Sequence, residues 1–398
     1  MVFDVTIVGG GLVGAALARA LQGSGLQCAL IDASPPAQEP DAWDSRVYAL
    51  SPATQSFLQD IGIWGELDAQ RIAPVRLMRV FGDTAGSRLE FSAYECGVDR
   101  LASIVESGRL QNALWRALQQ QSDLTLFAPA RPATLRHDGG AVEVGLETGA
   151  MVRTRLLVGA DGLHSWVRST AGIDSRLNPI GQTAVVANFS CTQPHMDIAY
   201  QWFRKDGVLA WLPLPGERFS MVWSTPEAHA HHLTSMPSAS LCETVAEAGA
   251  YTLGPLELIT APASFALARL TVPRRVRPRL ALVGDAAHVI HPLAGQGVNL
   301  GFGDAQALAR LLRQNRDEAT RSDPGDWLML RRFERSRAED ILAMRLATGG
   351  LRWLFEARWP GIDRLRGLGL NLTDRVPVVK NLLARRAMGY SPGAHRAS

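Results

Sequence analysis

The chain has 398 residues, 46% of them hydrophobic and 20% charged, with a formal net charge of +3. That length accommodates one large core with a smaller inserted unit, and the composition excludes a disordered or fibrous chain. The small positive charge is nearly all arginine, because Lys205 and Lys380 are the only lysines, and it gives no electrostatic case for nucleic acid.

Before its first apolar run the chain shows no basic region of the signal-peptide kind. The run itself, residues 5–18, is too short and too rich in glycine to cross a bilayer, so a cytoplasmic location is expected. It passes from a β-branched stretch, residues 5–8, through Gly9, Gly11 and Gly14 into a helical pattern. Strand, GxGxxG and helix in that order form a dinucleotide-binding unit. Gly9 permits the tight turn, Gly11 lets backbone approach a pyrophosphate, and Gly14 closes helix against strand. A second strand ends at Asp32, about 20 residues on, where an acid binds an adenosine ribose. These features fit NAD and FAD equally.

Ser51-Pro52 reads as a helix start, with Arg46 just before it in a loop. Gln111 sits on a helix whose Leu110, Leu114 and Leu118 face the core, where an exposed glutamine is equally expected. The stretch 153–168 gives a strand that ends at Asp161-Gly162 before another helix, with Asp161 placed to accept that helix's first amides. Residues 183–226 shift to strands rich in aromatics. Trp202, Phe203, Trp211 and Trp223 are candidate pocket linings or, for any single one, core residues. The His229–His232 cluster lacks acid or cysteine partners nearby, and the four cysteines lack ligand spacing, so no metal is expected.

A further apolar strand closes at Gly284-Asp285. A turn at 292–297 follows, then a helix with Val298, Phe302, Ala305, Leu308 and Leu312 on one stripe. Gly297 and Gly301, one turn apart, offer bare backbone at the helix start. A flat ring that becomes anionic on reduction needs close amides and a positive helix end, a demand nicotinamide does not make. The last 70 residues or so read as helix. Residues 349–372 interleave Leu, Trp and Phe with arginine, which suits packing on the main domain or contact with an anionic membrane surface.

Taken in order, the three glycine motifs at 9–14, 161–162 and 284–285 resemble the fingerprints of the single-component FAD-dependent aromatic hydroxylases, the para-hydroxybenzoate hydroxylase family. More locally the chain is similar to that family's ubiquinone-biosynthesis hydroxylases, through residues 44–64, 207–215, 291–305 and 375–389. The resemblance implies an α/β fold: a Rossmann-like FAD-binding domain, an inserted mixed β-sheet substrate domain and a helical C-terminus. The expected division is 1–75, 100–180 and 275–330 for FAD, 76–99 and 181–274 for substrate, and 331–398 for the helical end.

Carried over, Gly9, Gly11, Gly14 and Asp32 would hold the ADP half of FAD. Arg46 and Gln111 would meet the pyrophosphate or ribityl region, with Asp161 and Asp285 as the remaining polar anchors. Pro292, Gly295, Gln296, Gly297 and Asn299 would frame the isoalloxazine, and Trp211, Pro213 and His291 are substrate-pocket candidates. Asp32 stands where many such proteins have glutamate, and the ATGG at 347–350 puts helix continuity there in question. The implied co-substrates are dioxygen and NAD(P)H or a separate reductase, with a flavin hydroperoxide inserting one oxygen into an electron-rich ring. Because the cofactor carries the hard step, no side chain is assigned as catalytic.

The expected substrate is a polyprenylated phenol, a ubiquinone precursor, which suits peripheral contact with the inner face of the membrane and membership of a quinone-biosynthesis complex. Rival readings are a hydroxylase of a small soluble phenol or aromatic acid, and a non-catalytic flavin-binding subunit of such a complex. A flavin-dependent halogenase is disfavoured by the missing WxWxIP motif.

Overall fold

The computed structural model describes residues 2–36, 41–82, 88–290, 297–318 and 323–356, the last twelve of these by backbone alone. The segment 375–389 and most of 349–372 lie outside the described residues.

An eight-stranded sheet forms around Val2–Val8, which pairs in parallel with Cys28–Ile31 on one side and Met151–Gly159 on the other. Leu124–Phe127 and Leu280–Leu282 extend the parallel order outward, and a hairpin of Pro132–His137 and Val142–Leu146 joins antiparallel at Met151–Gly159. Val5, Ile7 and Val8 are buried on both faces, as parallel strands between helices require. The helix Leu12–Ala20 lays Ala15, Ala16, Leu17 and Ala18 into the same core as Leu110, Leu114 and Trp115 of Ser107–Gln119. Phe302, Leu308 and Leu312 of Gly297–Glu318 close that core from the other side.

A nine-stranded sheet contains the long strand Arg176–Cys191, flanked by Arg218–Pro226 and Ala263–Thr271. Gly207–Leu214 and Ile198–Arg204 continue it, followed by Leu77–Phe81 and Arg88–Ser92. The helices Glu227–Ser235 and Ser238–Ala248 cover one face through Ala230, Leu233, Leu241 and Val245. A small sheet of Val47–Leu50, Ala102–Glu106 and Ala73–Val75 joins the two large ones, with Leu212 and Leu214 packed into its cluster.

The helix Trp327–Glu356 runs through the ATGG at 347–350 unbroken, so the continuity questioned from sequence holds. Glycine lowers helix propensity without forbidding it when neighbouring turns supply the cooperativity. Among the described residues no helix is long and apolar enough to span a membrane.

Candidate functional site

At the amino-terminal turn, Gly9 stands at φ +103, and a Cβ there would run into the Ala160 carbonyl. A Cβ on Gly14 would collide with the Gly9 carbonyl, so strand, turn and helix touch backbone to backbone. Gly11 is different, because nothing lies within 4 Å of the position its Cβ would take. It is the N-cap of Leu12–Ala20, a helix with no side-chain cap and no acid in its first turn. Those first amides keep their donors for an anion. By contrast Pro52–Asp60 is capped by Ser51, whose Oγ accepts from the Thr54 amide at 3.2 Å.

Between these glycines Gly10 is held from three directions. Its amide donates to Asp32 Oδ2 at 2.6 Å, and its carbonyl accepts from Gln111 Nε2 at 2.6 Å and Trp115 Nε1 at 2.8 Å. Asp32 also accepts from the Ser34 amide at 2.8 Å. Thus Asp32 and Gln111 meet at the turn. Trp115, which nothing in the sequence pattern singles out, shares their task.

Ser165, not Asp161, is the N-cap of helix Trp166–Thr170, its Oγ accepting from the Arg168 amide at 2.9 Å. Asp161 supports it: Oδ1 accepts from Ser165 Oγ at 2.6 Å and Oδ2 from the Val167 amide at 3.0 Å. Arg168, five residues after Leu163, is buried and donates to the carbonyls of Leu163 at 2.7 Å and Ala286 at 3.0 Å. It thereby stitches this loop to the turn at Gly284–Ala286. Burial lowers its pKa, with Asp161 opposing, and it remains a cation at any working pH.

The Gly284–Ala286 turn follows strand Leu280–Leu282 with Gly284 at φ +59 against Val13. Asp285 keeps an exposed surface, yet protein surrounds its carboxyl closely enough that desolvation raises its pKa against the pull of His288 and Arg46. Arg46, near enough to pull on that carboxyl, has its guanidinium 5.5 Å from the Tyr48 ring and 5.4 Å from the Phe265 ring. Beneath the turn Asp304 accepts from the Gly284 amide at 3.0 Å, and it meets His288 Nε2 at 2.6 Å and Arg337 Nε at 2.8 Å. Burial would raise the Asp304 pKa, but the pairing with His288 and Arg337 outweighs it and brings it down to about 2.

Asn299 bridges the Ala49 carbonyl at 2.8 Å and the Ser51 amide at 2.9 Å, fixing the helix start to the small sheet. At Gly297 no described atom lies within 4 Å of the position a Cβ would take. Gly301 differs. A Cβ there would approach Val13 to 2.5 Å, so this glycine serves the crossing of two helices and offers no bare backbone to a ligand. Pro292, Gly295, Gln296 and His291 lie outside the described residues.

Two pocket candidates need correction. Trp211 pairs with Met221, and Pro213 with Phe219, on the sheet face that the two helices cover. Trp211 is 1% exposed, and a Cβ on Gly249 would strike its ring. Because side chains alternate along a strand, their neighbours Ala210 and Leu212 face the other way. Ala210 sits opposite Val222, Leu212 opposite Ser220 and Val208 opposite Ser224. Ser224 and Phe265 both flank Ala184, which carries this face round to the Phe265 ring under Arg46. Trp202 and Trp223 share the covered face with Trp211. Of the four aromatics, Phe203 alone lies on the open face, in a cluster with Val80 and Leu89.

The residues fit FAD. Gly11 and the uncapped helix give a pyrophosphate cradle, Asp32 stands at the second strand's end, and Asp285 stands within the electrostatic reach of Arg46. A family model described as FAD binding domain matches residues 2–323. The chain is 35% identical over 393 residues to the 3-demethoxyubiquinol 3-hydroxylase of Escherichia coli, covering 97% of this chain and 98% of that one. It is 36% identical over 390 residues to the ubiquinone hydroxylase UbiL of Rhodospirillum rubrum, covering 98% and 90%. Among solved structures, p-nitrophenol 4-monooxygenase PnpA from Pseudomonas putida matches with a TM-score of 0.77 at 16% identity, covering 98% and 99% of the two chains. PqsL from Pseudomonas aeruginosa, described as a probable FAD-dependent monooxygenase, matches at 0.76 and 24%, covering 94% and 100%; both likenesses speak to the fold.

Proposed function

This chain belongs to the FAD-binding domain family, and from that premise we propose an FAD-dependent monooxygenase that hydroxylates the aromatic ring of a polyprenylated ubiquinone precursor. When bound, FAD supplies the redox chemistry, taking electrons from NAD(P)H or a reductase and passing oxygen from dioxygen to the ring. The chain's own work is to hold, orient and keep dry. Gly11 and the first amides of Leu12–Ala20 hold the pyrophosphate, Asp32 the ribose side, and Asp285 and Arg46 the ribityl region.

One observation favours a lipid-like ring over a small aromatic acid. The middle strands of the nine-stranded sheet leave Val208, Ala210, Leu212 and Val222 only half-buried on the open face. Interior strands stay accessible only where something else covers them, and this cover would rest on aliphatic side chains. An aromatic acid would call instead for paired cations in that wall.

Peripheral membrane contact belongs to the same reading. The helix Trp327–Glu356 turns outward Trp327 (37% exposed), Leu328 (68%) and Leu342 (57%), with Arg332 and Arg335 on the same exposed side. Apolar anchors beside arginines suit an anionic lipid surface. A quinone-biosynthesis complex would bring the substrate to that side.

The test is the quinone precursor that accumulates in cells lacking this chain, identified by mass spectrometry. A prenylated phenol one ring oxygen short of the next intermediate is expected. Normal quinone with no such species would overturn the assignment.

A further inference from the structure

We infer that Asp304, Arg337 and Gly303 form a positioning device through which the Arg337 guanidinium, and not the seating of helix Trp327–Glu356 at large, sets the shape of the Gly284–Asp285 turn. The inference rests on reading that turn as part of the FAD site.

Asp304 is buried, and both of its oxygens are engaged. Oδ2 takes the Gly284 amide at 3.0 Å and His288 Nε2 at 2.6 Å, and Oδ1 takes Arg337 Nε at 2.8 Å. Gly284 is left-handed at φ +59, so its amide points away from the strand ladder and needs an acceptor from elsewhere. Asp304 is that acceptor, and Asp285 follows directly in the chain. Whatever moves Asp304 therefore moves the peptide that carries Asp285.

Arg337 fixes Asp304 from the carboxy-terminal side. Its guanidinium also donates to the Leu300 carbonyl at 3.2 Å and pairs with Asp340 on its own helix. The same fork thus touches the first turn of Gly297–Glu318, the buried carboxylate and the last helix. An arginine held in three directions is pre-organised in a way lysine cannot reproduce.

The third member explains an otherwise unfavourable residue. Gly303 lies inside a long helix, where alanine is the better helix former. A Cβ at Gly303 would come within 2.6 Å of an Arg337 guanidinium nitrogen. The glycine clears the path along which Arg337 reaches Asp304. Stability of the helix and placement of the arginine therefore pull in opposite directions at this position, and that opposition makes the device testable.

The experiment titrates FAD into deflavinated full-length protein by flavin fluorescence and records the thermal midpoint of the same apoprotein. The variants are Gly303→Ala, Arg337→Met and Glu334→Gln. Glu334 anchors the same helix to the Arg275 amide at 2.7 Å without touching the turn. Positioning partners behind a cofactor's direct contacts act at about the tenfold level. Gly303→Ala and Arg337→Met are expected to raise the FAD dissociation constant about tenfold, the first with a smaller loss of apoprotein stability than the second, because alanine returns the helix propensity that glycine lacks. Glu334→Gln is expected to lower the midpoint and leave FAD affinity as it was.

Unchanged affinity in Gly303→Ala and Arg337→Met would overturn the inference, and so would affinity losses that simply track lost stability across all three variants. If Arg337→Met does not fold, Gly303→Ala decides alone. Failure of the unaltered chain to take up FAD would instead sink the cofactor reading of the turn.

Discussion

The turn at Gly9–Gly14 and the turn at Gly284–Asp285 meet at Val13, yet different forces hold them. In the first, side chains are absent where backbones touch, and neutral donors from Gln111 and Trp115 join Asp32 around Gly10. In the second, a buried carboxylate collects an amide, an imidazole and a guanidinium. Steric fit is indifferent to pH and unforgiving of one added carbon. A buried ionic hub tolerates neither loss of a partner nor protonation.

Removing the hub is expected to have the largest effect. Asp304→Leu strands Arg337 and His288 in the interior, and breaking such a buried pair costs about 3–5 kcal/mol. Urea unfolding of the apoprotein reads this, and a loss below about 1 kcal/mol would mean that water or a shifted helix rescues the charges.

Next comes Gly14→Ala, whose methyl would run into the Gly9 carbonyl and crowd Ala160 Cβ. Overpacking of this kind costs about 1–3 kcal/mol, and FAD binding should fall with it. The neighbouring Gly11→Ala has open space and should leave unfolding nearly unchanged while weakening FAD, which separates close packing from close approach.

The pH dependence is third. Asp304 is depressed from 3.8 to about 2, so its contribution is complete above the unfolded value and is lost as pH falls through the folded one. A shift of that size is worth about 2 kcal/mol. In the Asp304→Leu background the stability difference between pH 5 and pH 2 should shrink by that amount. An unaltered acid limb would assign the loss to other carboxylates.

The smallest effect is expected from Trp115→Phe, which removes one donor to Gly10 but leaves Gln111 in place. Losing such a bond costs about 1 kcal/mol. Equilibrium unfolding and FAD titration should both shift slightly.

The two turns were also unequally legible from sequence. Gly9, Gly11 and Gly14 announce themselves because the steric demand is met by residue identity at fixed spacing. Asp304 hides because its partners stand 20 and 33 positions away, and Arg337 looks like Arg332 or Arg335 until its burial is known. The one available signal was a carboxylate lying on the apolar stripe of a helix, between Leu300 and Leu308. Trp211 and Leu212 show a different limit. Both faces of their strand are apolar, so the period-two pattern that normally tells inside from outside carries no contrast. Size and aromaticity pointed to Trp211, and the helices that cover it could not be read from its own strand.

That alternation has a consequence for the history of this fold. Trp211, Met221 and Trp223 are committed to the helical layer, where a changed volume would be felt throughout the core. Val208, Ala210, Leu212 and Val222 owe much less to it. Descendants can exchange these four to suit a new ring or tail while the scaffold is inherited intact, so novelty in this lineage should accumulate at every second residue.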